Sequence, residues 1–331
     1  MASSLRTVFF GSDPIVIPLL DYLLAEPKIN LQAVITQPDK PSGRGKKIQP
    51  NVIKTWAIQH KIPVLQPDKP SENELNYLKN NKIDLLLVMA YGHILRKPIL
   101  EFPKFGIYNY HASLLPTLRG ASPIESAIAS GQNKTGVTFM EIAPKMDTGD
   151  IIATETIDIE ETDTTESLSS KIAHACIPLT KKILDPLTLN KLIKTPQNDS
   201  RATYTRKINK LDGKLDFNQP AQTLENRMRA LTPWPGSFFE IEGGARYKIG
   251  SVKIVALPEN TSPGTLLKTD EFPLIITTSK DALAINSLQR PGGKMLPTQD
   301  FLRGHPLPLN TIVQSELMQE LTSKNIFKHK T

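Results

Sequence analysis

Short apolar runs alternate with amphipathic segments through the first 190 residues of the chain. The apolar runs have the length of strands and lie at residues 6–12, 31–37, 84–90, 106–112, 135–142 and 151–157. Apolar residues at helical spacing fill the segments 14–25, 51–60, 122–129 and 164–182. Strands that alternate with helices predict an α/β fold, Rossmann-like, with a mostly parallel sheet and helices on both faces.

The pattern changes in the last third of the chain. Short β patterns at 237–241, 246–257 and 274–278 are interrupted by Gly and Pro, which favours a smaller all-β barrel of the OB-like type. A polar, turn-rich stretch separates the two patterns. We therefore expect a first domain at 1–190, a linker at 191–207, a barrel at 208–315 and a tail at 316–331.

Composition is that of a globular protein with two domains, since the chain has 331 residues, 39% of them hydrophobic and 22% charged. No apolar run approaches the ~20 residues of a membrane span, and the start has no basic flank before a long apolar segment. We expect a cytoplasmic protein without membrane contact. Cys176 is the only cysteine, and no histidine pairs with another His or Cys at ligand spacing, so no disulfide and no metal site are expected.

Positive charge is concentrated in the second part of the chain. The net charge is +7, and residues 1–200 hold 22 Lys and Arg against 21 Asp and Glu, whereas residues 201–331 hold 18 against 12. A basic excess confined to one domain fits a surface that binds a polyanion, although a solubility role explains it as well.

Polar side chains interrupt the apolar strand predicted at 106–112. Because strand side chains alternate between faces, Asn109 and His111 share one face while Tyr108 and Tyr110 share the other. The strand ends at a Ser-Leu-Leu-Pro run, residues 113–116, and ligands bind at the carboxyl ends of strands in open α/β sheets. This strand end is therefore a candidate site.

A second polar feature is the turn Asp147-Thr-Gly-Asp150, which follows the strand predicted at 135–142. An Asp in a turn often accepts a hydrogen bond from its own local backbone. If the two strands are neighbours, however, the Asp147 carboxylate can meet the imidazole of His111. Both interpretations are open from sequence.

Residues 37–48 combine Gly and Pro with the positive charges of Lys40, Arg44, Lys46 and Lys47. This segment is predicted to be a mobile surface loop, either a solvated turn or a loop that contacts phosphates. It is not a Walker loop, because the glycine spacing is wrong and no Ser or Thr follows the lysine. The first strand likewise lacks the three glycines of a dinucleotide-binding turn, which makes an NAD-dependent oxidoreductase a weak alternative.

The chain resembles the methionyl-tRNA formyltransferase family, a branch of the 10-formyltetrahydrofolate-using formyltransferases. The wider family is indicated by the signature Asn-x-His-x-Ser-Leu-Leu-Pro-x-x-Arg-Gly at 109–120 and by the turn at 147–150. The tRNA-specific branch is indicated by the segments 38–47, 210–217, 233–236 and 288–304. Lys145-Met146 before Asp147 and Asp212-Gly213 depart from the usual pattern, which puts loop detail in doubt.

The resemblance implies transfer of a formyl group from 10-formyltetrahydrofolate to the α-amino group of methionyl initiator tRNA, by a monomer and without a metal. By position it implies three catalytic residues, Asn109, His111 and Asp147. It implies a folate-contacting motif, formed by Ser113, Leu114, Leu115 and Pro116. It also implies a loop that contacts the tRNA acceptor stem, with Arg44, Lys46 and Lys47.

Two other function classes remain open at this point. A sugar-amine formyltransferase or a formyltetrahydrofolate hydrolase would have the same three polar residues, but should lack the basic loop and the basic second domain together. A non-catalytic tRNA-binding protein would explain the charge and leave the three polar residues unexplained.

Overall fold

The computed structural model describes residues 4–42 and 47–327. The chain divides into two compact units. The first unit comprises Met1–Gly120, Lys134–Asp158 and Ser169–Thr203, and the second comprises Ala121–Asn133, Ile159–Leu168 and Tyr204–Thr331.

The strands of the described residues are β1 (Leu5–Phe10), β2 (Ile29–Ile35), β3 (Lys40–Ser42), β4 (Lys47–Gln49), β5 (Val64–Leu65), β6 (Leu85–Val88), β7 (Ile107–His111), β8 (Arg119–Gly120), β9 (Lys134–Glu141), β10 (Ile151–Asp158), β11 (Tyr204–Thr205), β12 (Ser237–Glu240), β13 (Arg246–Ile249), β14 (Val252–Val255), β15 (Leu266–Leu267), β16 (Ile275–Thr277), β17 (Ala282–Ile285), β18 (Ser287–Gln289), β19 (Leu296–Pro297) and β20 (Thr322–Ser323). The helices are α1 (Ile17–Ala25), α2 (Val52–Gln59), α3 (Glu72–Asn80), α4 (Lys97–Leu100), α5 (Pro123–Ala129), α6 (Thr165–Thr188), α7 (Ala221–Ala230) and α8 (Thr298–Gly304).

The first unit is built on a seven-stranded sheet with the order β10-β9-β7-β6-β1-β2-β5. Strands β7, β6, β1, β2 and β5 run parallel to one another, whereas β9 is antiparallel to β7 and to β10. The chain proceeds from β1 to β2 on one side and later places β6 on the other side of β1. The strand order therefore reverses between β1 and β6, which is where open α/β sheets bind ligands.

Helices cover both faces of this sheet because the central strands are apolar on both sides. On one face, Leu78 of α3 and Ile99 of α4 pack with Phe10 and Ile35. On the other face, the hydroxyl of Tyr110 lies 2.8 Å from the hydroxyl of Thr180 in α6. The predicted α/β fold with a mostly parallel sheet is confirmed.

The six predicted strands of the first part all form, and their ends differ from the prediction by no more than two residues. Helix α3 is an additional element that the apolar spacing did not indicate. Its start is fixed by a capping box, in which Ser71 and Glu74 satisfy each other's backbone N–H groups. The segment predicted as a mobile loop contains β3 and β4, which pair with each other as a short hairpin.

The second unit contains two four-stranded antiparallel sheets, with the orders β12-β13-β18-β19 and β14-β17-β16-β15. Its hydrophobic core combines strand residues such as Phe239 and Leu283 with Leu224 of α7 and Phe301 of α8. The predicted strand-rich second part is therefore confirmed, and two helices pack into its core.

Two features are absent from the part of the chain that the structure describes. None of its helices combines the length and the apolar character needed to cross a membrane. It also holds no cluster of three or more His, Cys, Asp or Glu residues arranged to bind a metal ion.

Candidate active site

Strand β7 separates its side chains into two groups by alternation. Tyr108 stacks on Phe139 with 5.0 Å between ring centroids, and Tyr110 bonds Thr180 of α6. Asn109 and His111 leave the opposite face of the strand. Asn109 lies between Val88 of β6 and Met140 of β9 in the sheet register.

The imidazole of His111 is buried, and its two nitrogens have different neighbours. Nε2 lies 3.0 Å from the carbonyl oxygen of Leu118, and Nδ1 lies 3.7 Å from Oδ2 of Asp147. A carbonyl oxygen only accepts hydrogen bonds, so Nε2 carries the proton of that bond. Nδ1 is therefore the nitrogen that faces the carboxylate, at a distance longer than a hydrogen bond.

The backbone of Asp147 is in the left-handed region, with φ of 52°, and its carboxylate lies beside His111. Its Oδ2 accepts a hydrogen bond of 2.8 Å from the backbone N–H of Gly120. The side chain is 16% exposed. Of the two interpretations open from sequence, the structure shows the carboxylate beside the imidazole, bonded to a backbone 27 residues away.

The glycine of the Asp-Thr-Gly-Asp turn is required by close packing. A Cβ atom at Gly149 would overlap the backbone carbonyl of Glu141. The turn therefore lies directly against the end of β9 and leaves no room for a side chain at this position.

The amide of Asn109 is half-buried and makes no hydrogen bond to any side chain or backbone group within the described residues. An amide of this kind has a donor available for a ligand, because Asn carries two N–H bonds on its nitrogen. It lies two residues before His111 on the same strand face.

The Ser113–Pro116 segment forms a turn that is fastened to β9. The Ser113 hydroxyl donates to the carbonyl of Thr117 at 2.6 Å. The hydroxyl of Thr138 donates to the carbonyl of Ser113 at 2.6 Å and accepts from the backbone N–H of Leu115 at 3.1 Å. Ser113 and Leu115 are buried, whereas Leu114 and Pro116 are half-buried.

A pocket of about 370 Å³ follows the carboxyl end of β6. Its lining residues are Lys69, Pro70, Gly92, His93, Ile94 and Arg96. Nε2 of His93 is buried and has no hydrogen-bond partner within the described residues. Two cationic side chains and an unpartnered ring nitrogen suit an anionic, hydrogen-bonding ligand, and the volume lies in the range of small-molecule sites.

Sequence reasoning missed this pocket, although the rule that identified the end of β7 applies equally to the end of β6. Residues 89–96 directly follow the most apolar strand of the sheet. The polar side chains that would have marked the pocket are spread over two segments, at Lys69 and at 93–96.

The basic loop is described only in part. Arg44 and Lys46 lie outside the described residues, and Lys47 is the first residue of β4. The base of the hairpin is closed by Asp39, whose carboxylate accepts from the backbone N–H of Asn51 at 3.0 Å, from Gln66 at 2.8 Å and from Lys54 at 2.6 Å. These bonds lower the pKa of Asp39 to about 2, with Lys54 as the largest cause.

Comparison with known protein families gives two matches that together span most of the chain. Residues 6–179 match the formyl transferase family, and residues 207–306 match the formyl transferase C-terminal domain.

Curated relatives match over nearly the full length. A methionyl-tRNA formyltransferase of Sulfurihydrogenibium sp. is 39% identical over 92% of this chain and 98% of its own length. A methionyl-tRNA formyltransferase of Geobacillus thermodenitrificans is 40% identical over 90% of this chain and 93% of its own length.

Solved structures share the fold at lower identity. An N-formyltransferase from Helicobacter canadensis, in complex with folinic acid and dTDP-3-aminofucose, superposes with a TM-score of 0.63 at 20% identity, over 85% of this chain and 99% of its own. HypX from Aquifex aeolicus, in complex with tetrahydrofolic acid, superposes with a TM-score of 0.61 at 16% identity, over 95% of this chain and 51% of its own. From its two family matches and its full-length relatives, the chain belongs to the formyl transferase family.

Proposed function

We propose that the protein transfers the formyl group of 10-formyltetrahydrofolate to the α-amino group of methionyl initiator tRNA. The observation that carries this proposal is the match to methionyl-tRNA formyltransferases at 36–40% identity over at least 90% of the chain. The two family models match both the α/β part and the strand-rich part, so the relationship extends beyond the catalytic fold.

The reaction forms a bond between the α-amino nitrogen and the formyl carbon and breaks the bond from that carbon to the folate nitrogen. Negative charge develops on the formyl oxygen as the amine attacks. Asn109 has an amide donor with no partner within the described residues, and we assign it to this oxyanion. A donor of this type is typically worth ~3 kcal/mol of transition-state stabilisation.

The attacking amine must lose a proton, and the departing folate nitrogen must gain one. Nε2 of His111 is engaged with Leu118, so we assign the proton exchange to the side of the ring where Nδ1 faces Asp147. In this proposal Asp147 accepts the amine proton through a water molecule. Asp147 then passes this proton to Nδ1 of His111, whose positive charge stabilises the oxyanion, and His111 gives the proton to the folate nitrogen as its bond to the formyl carbon breaks.

The folate co-substrate fits the chemistry of the pocket after β6. Its glutamate tail is anionic, and Lys69 and Arg96 line the pocket. We propose that the tail lies near these side chains. We propose that Ser113, Leu114, Leu115 and Pro116 contact the pterin end of the folate. They would do so mainly through the shape of their turn, since the Ser113 hydroxyl is already bonded to Thr117.

We assign folate binding and catalysis to the first unit, and tRNA binding to the basic loop together with residues 201–331, which hold 18 Lys and Arg against 12 Asp and Glu. Arg44, Lys46 and Lys47 would contact phosphates of the acceptor stem, because guanidinium and ammonium groups pair with phosphate oxygens. We further propose that the enzyme acts as a monomer in the cytoplasm, where charged tRNA is made.

The decisive experiment is transfer of labelled formyl from 10-formyltetrahydrofolate to methionyl initiator tRNA, compared with free methionine and with nucleotide-linked amino sugars. We expect labelled formylmethionyl-tRNA as the only labelled product. We also expect the affinity for tRNA to fall steeply as the salt concentration rises, because salt cations compete with the protein for the phosphates. Formylation of the amino sugar alone would instead establish a sugar formyltransferase. Release of free formate alone would establish a hydrolase.

A further inference from the structure

Gln197 lies about fifty residues after the catalytic turn in sequence and is bonded directly to it. Its side-chain nitrogen donates to the backbone carbonyl of Asp147 at 2.9 Å and to the backbone carbonyl of Gly149 at 2.8 Å. Both N–H groups of the amide therefore donate hydrogen bonds to the Asp147–Gly149 turn.

The other end of the Gln197 amide is held by Arg119. Its oxygen accepts from Nε of Arg119 at 3.1 Å and from Nη2 at 2.7 Å. A guanidinium only donates, so the amide oxygen must face Arg119 and the amide nitrogen must face the two carbonyls. The orientation of the amide is therefore fixed by chemistry.

Arg119 provides a rigid anchor for this arrangement. Its side chain is 1% exposed, and Nη2 also bonds the carboxylate of Asp199 at 2.7 Å. Its backbone N–H donates to the carbonyl of Thr203 at 2.8 Å. The next residue, Gly120, donates its N–H to the Asp147 carboxylate. Strand β8 thus holds the side chain of Asp147 directly and the backbone of Asp147 through Gln197.

We propose that Gln197, anchored by Arg119, is a positioning residue that holds the Asp147 carboxylate at Nδ1 of His111; this inference rests on the proposed catalytic role of Asp147. The turn benefits from such support because Asp147 is in the left-handed region, which Asp adopts more often than most residues but which is still uncommon for residues other than Gly. Without the two bonds from Gln197, the carboxylate loses its defined distance to the imidazole.

The test is Gln197→Glu, which retains the shape of the side chain and an acceptor for Arg119 but removes both N–H donors. The matched control is Asn198→Asp, which adds the same charge one residue away and retains the acceptor that bonds the N–H of Ser200. We expect Gln197→Glu to lower kcat about 100-fold, as small misplacements of catalytic groups do. KM for 10-formyltetrahydrofolate and for methionyl-tRNA should change less than about threefold, and Asn198→Asp should resemble the wild type.

A double-mutant cycle with Asp147→Asn shows whether Gln197 acts through Asp147. If it does, Gln197→Glu should cost little kcat in the Asp147→Asn background, because the group that it positions is already disabled. Fully additive losses would overturn the inference, as would a lower Tm together with raised KM values.

Failure of the inference can be told apart from failure of the proposed function. If the wild type does not formylate methionyl-tRNA, the proposed function fails. If Asp147→Asn retains full turnover, the catalytic role of Asp147 fails, and the inference with it. If Asp147→Asn loses turnover and Gln197→Glu does not, only the inference fails.

Discussion

Nε2 of His111 lies 3.0 Å from the carbonyl oxygen of Leu118, and this contact determines how the imidazole faces Asp147. With Nε2–H engaged by a group that only accepts, the neutral ring presents a lone pair at Nδ1. A direct hydrogen bond from Nδ1 to the carboxylate, 3.7 Å away, then requires a proton on Nδ1. The arrangement is therefore suited to a ring that gains and loses a proton during turnover.

Replacement of His111 by Ala should reduce kcat by a factor of about 10² to 10⁴, the usual contribution of a positioned acid or base. Folate affinity should stay close to that of the wild type, because the pocket after β6, where we propose that the folate tail lies, does not include His111. Single-turnover formyl transfer and titration of folate binding give the two numbers. His174→Ala serves as a control, since His174 is exposed on α6. Near-normal turnover of His111→Ala would remove His111 from the mechanism.

Gly149→Ala should reduce both turnover and stability. The added Cβ would overlap the backbone carbonyl of Glu141, so the turn that bears Asp147 must shift. We expect a loss of about 1–3 kcal/mol in the free energy of unfolding, as for other overpacked sites, together with a lower kcat.

Gly304→Ala is the matched control for Gly149→Ala, because a Cβ at Gly304 would meet no atom within 4 Å. Its unfolding free energy should stay within about 0.5 kcal/mol of the wild type. Denaturant titration and steady-state kinetics check both variants. A Gly149→Ala protein with wild-type stability and kcat would show that the turn tolerates displacement.

Arg44→Ala should weaken the use of methionyl-tRNA and leave folate affinity unchanged. The expected cause is loss of a phosphate contact. The slope of the logarithm of tRNA affinity against the logarithm of salt concentration should therefore become shallower by about one. Lys79→Ala removes the same charge from an exposed position of α3 and should have little effect. Equal loss of folate and tRNA affinity in Arg44→Ala would indicate misfolding and contradict a specific tRNA role.

The sequence predicted the parts of the fold that depend on local pattern. Strand β7 is an example, because its alternation placed Asn109 and His111 on one face and Tyr108 and Tyr110 on the other, and the structure shows His111 beside Leu118 and Tyr110 bonded to Thr180 of α6. Helix α3 was missed because it is mostly polar, and the evidence for its start is the reciprocal bonding of Ser71 and Glu74.

The support of the site could not be predicted from local pattern. Gln197 lies in a turn-rich polar segment, which the sequence identifies only as a linker. Its bonds to Asp147 and Arg119 depend on tertiary positions 50 and 78 residues apart in the chain. Spacing within a motif carries no information on such contacts.

Asp39→Asn should lower stability in a manner that depends on pH. The pKa of Asp39 is lowered to about 2 from 3.8, mainly by Lys54, so the folded state favours the ionised carboxylate. The stability from this group is therefore complete above the unfolded pKa and is lost as pH falls from about 4 to about 2. The difference in unfolding free energy between the wild type and Asp39→Asn should be largest near about pH 7 and shrink across that interval.

Denaturant titrations at several pH values measure this difference in unfolding free energy between the wild type and Asp39→Asn. Lys54→Met should make the difference smaller, because it removes the largest cause of the pKa shift. A gap that stays constant down to about pH 2 would show that ionisation of Asp39 does not stabilise the base of the hairpin.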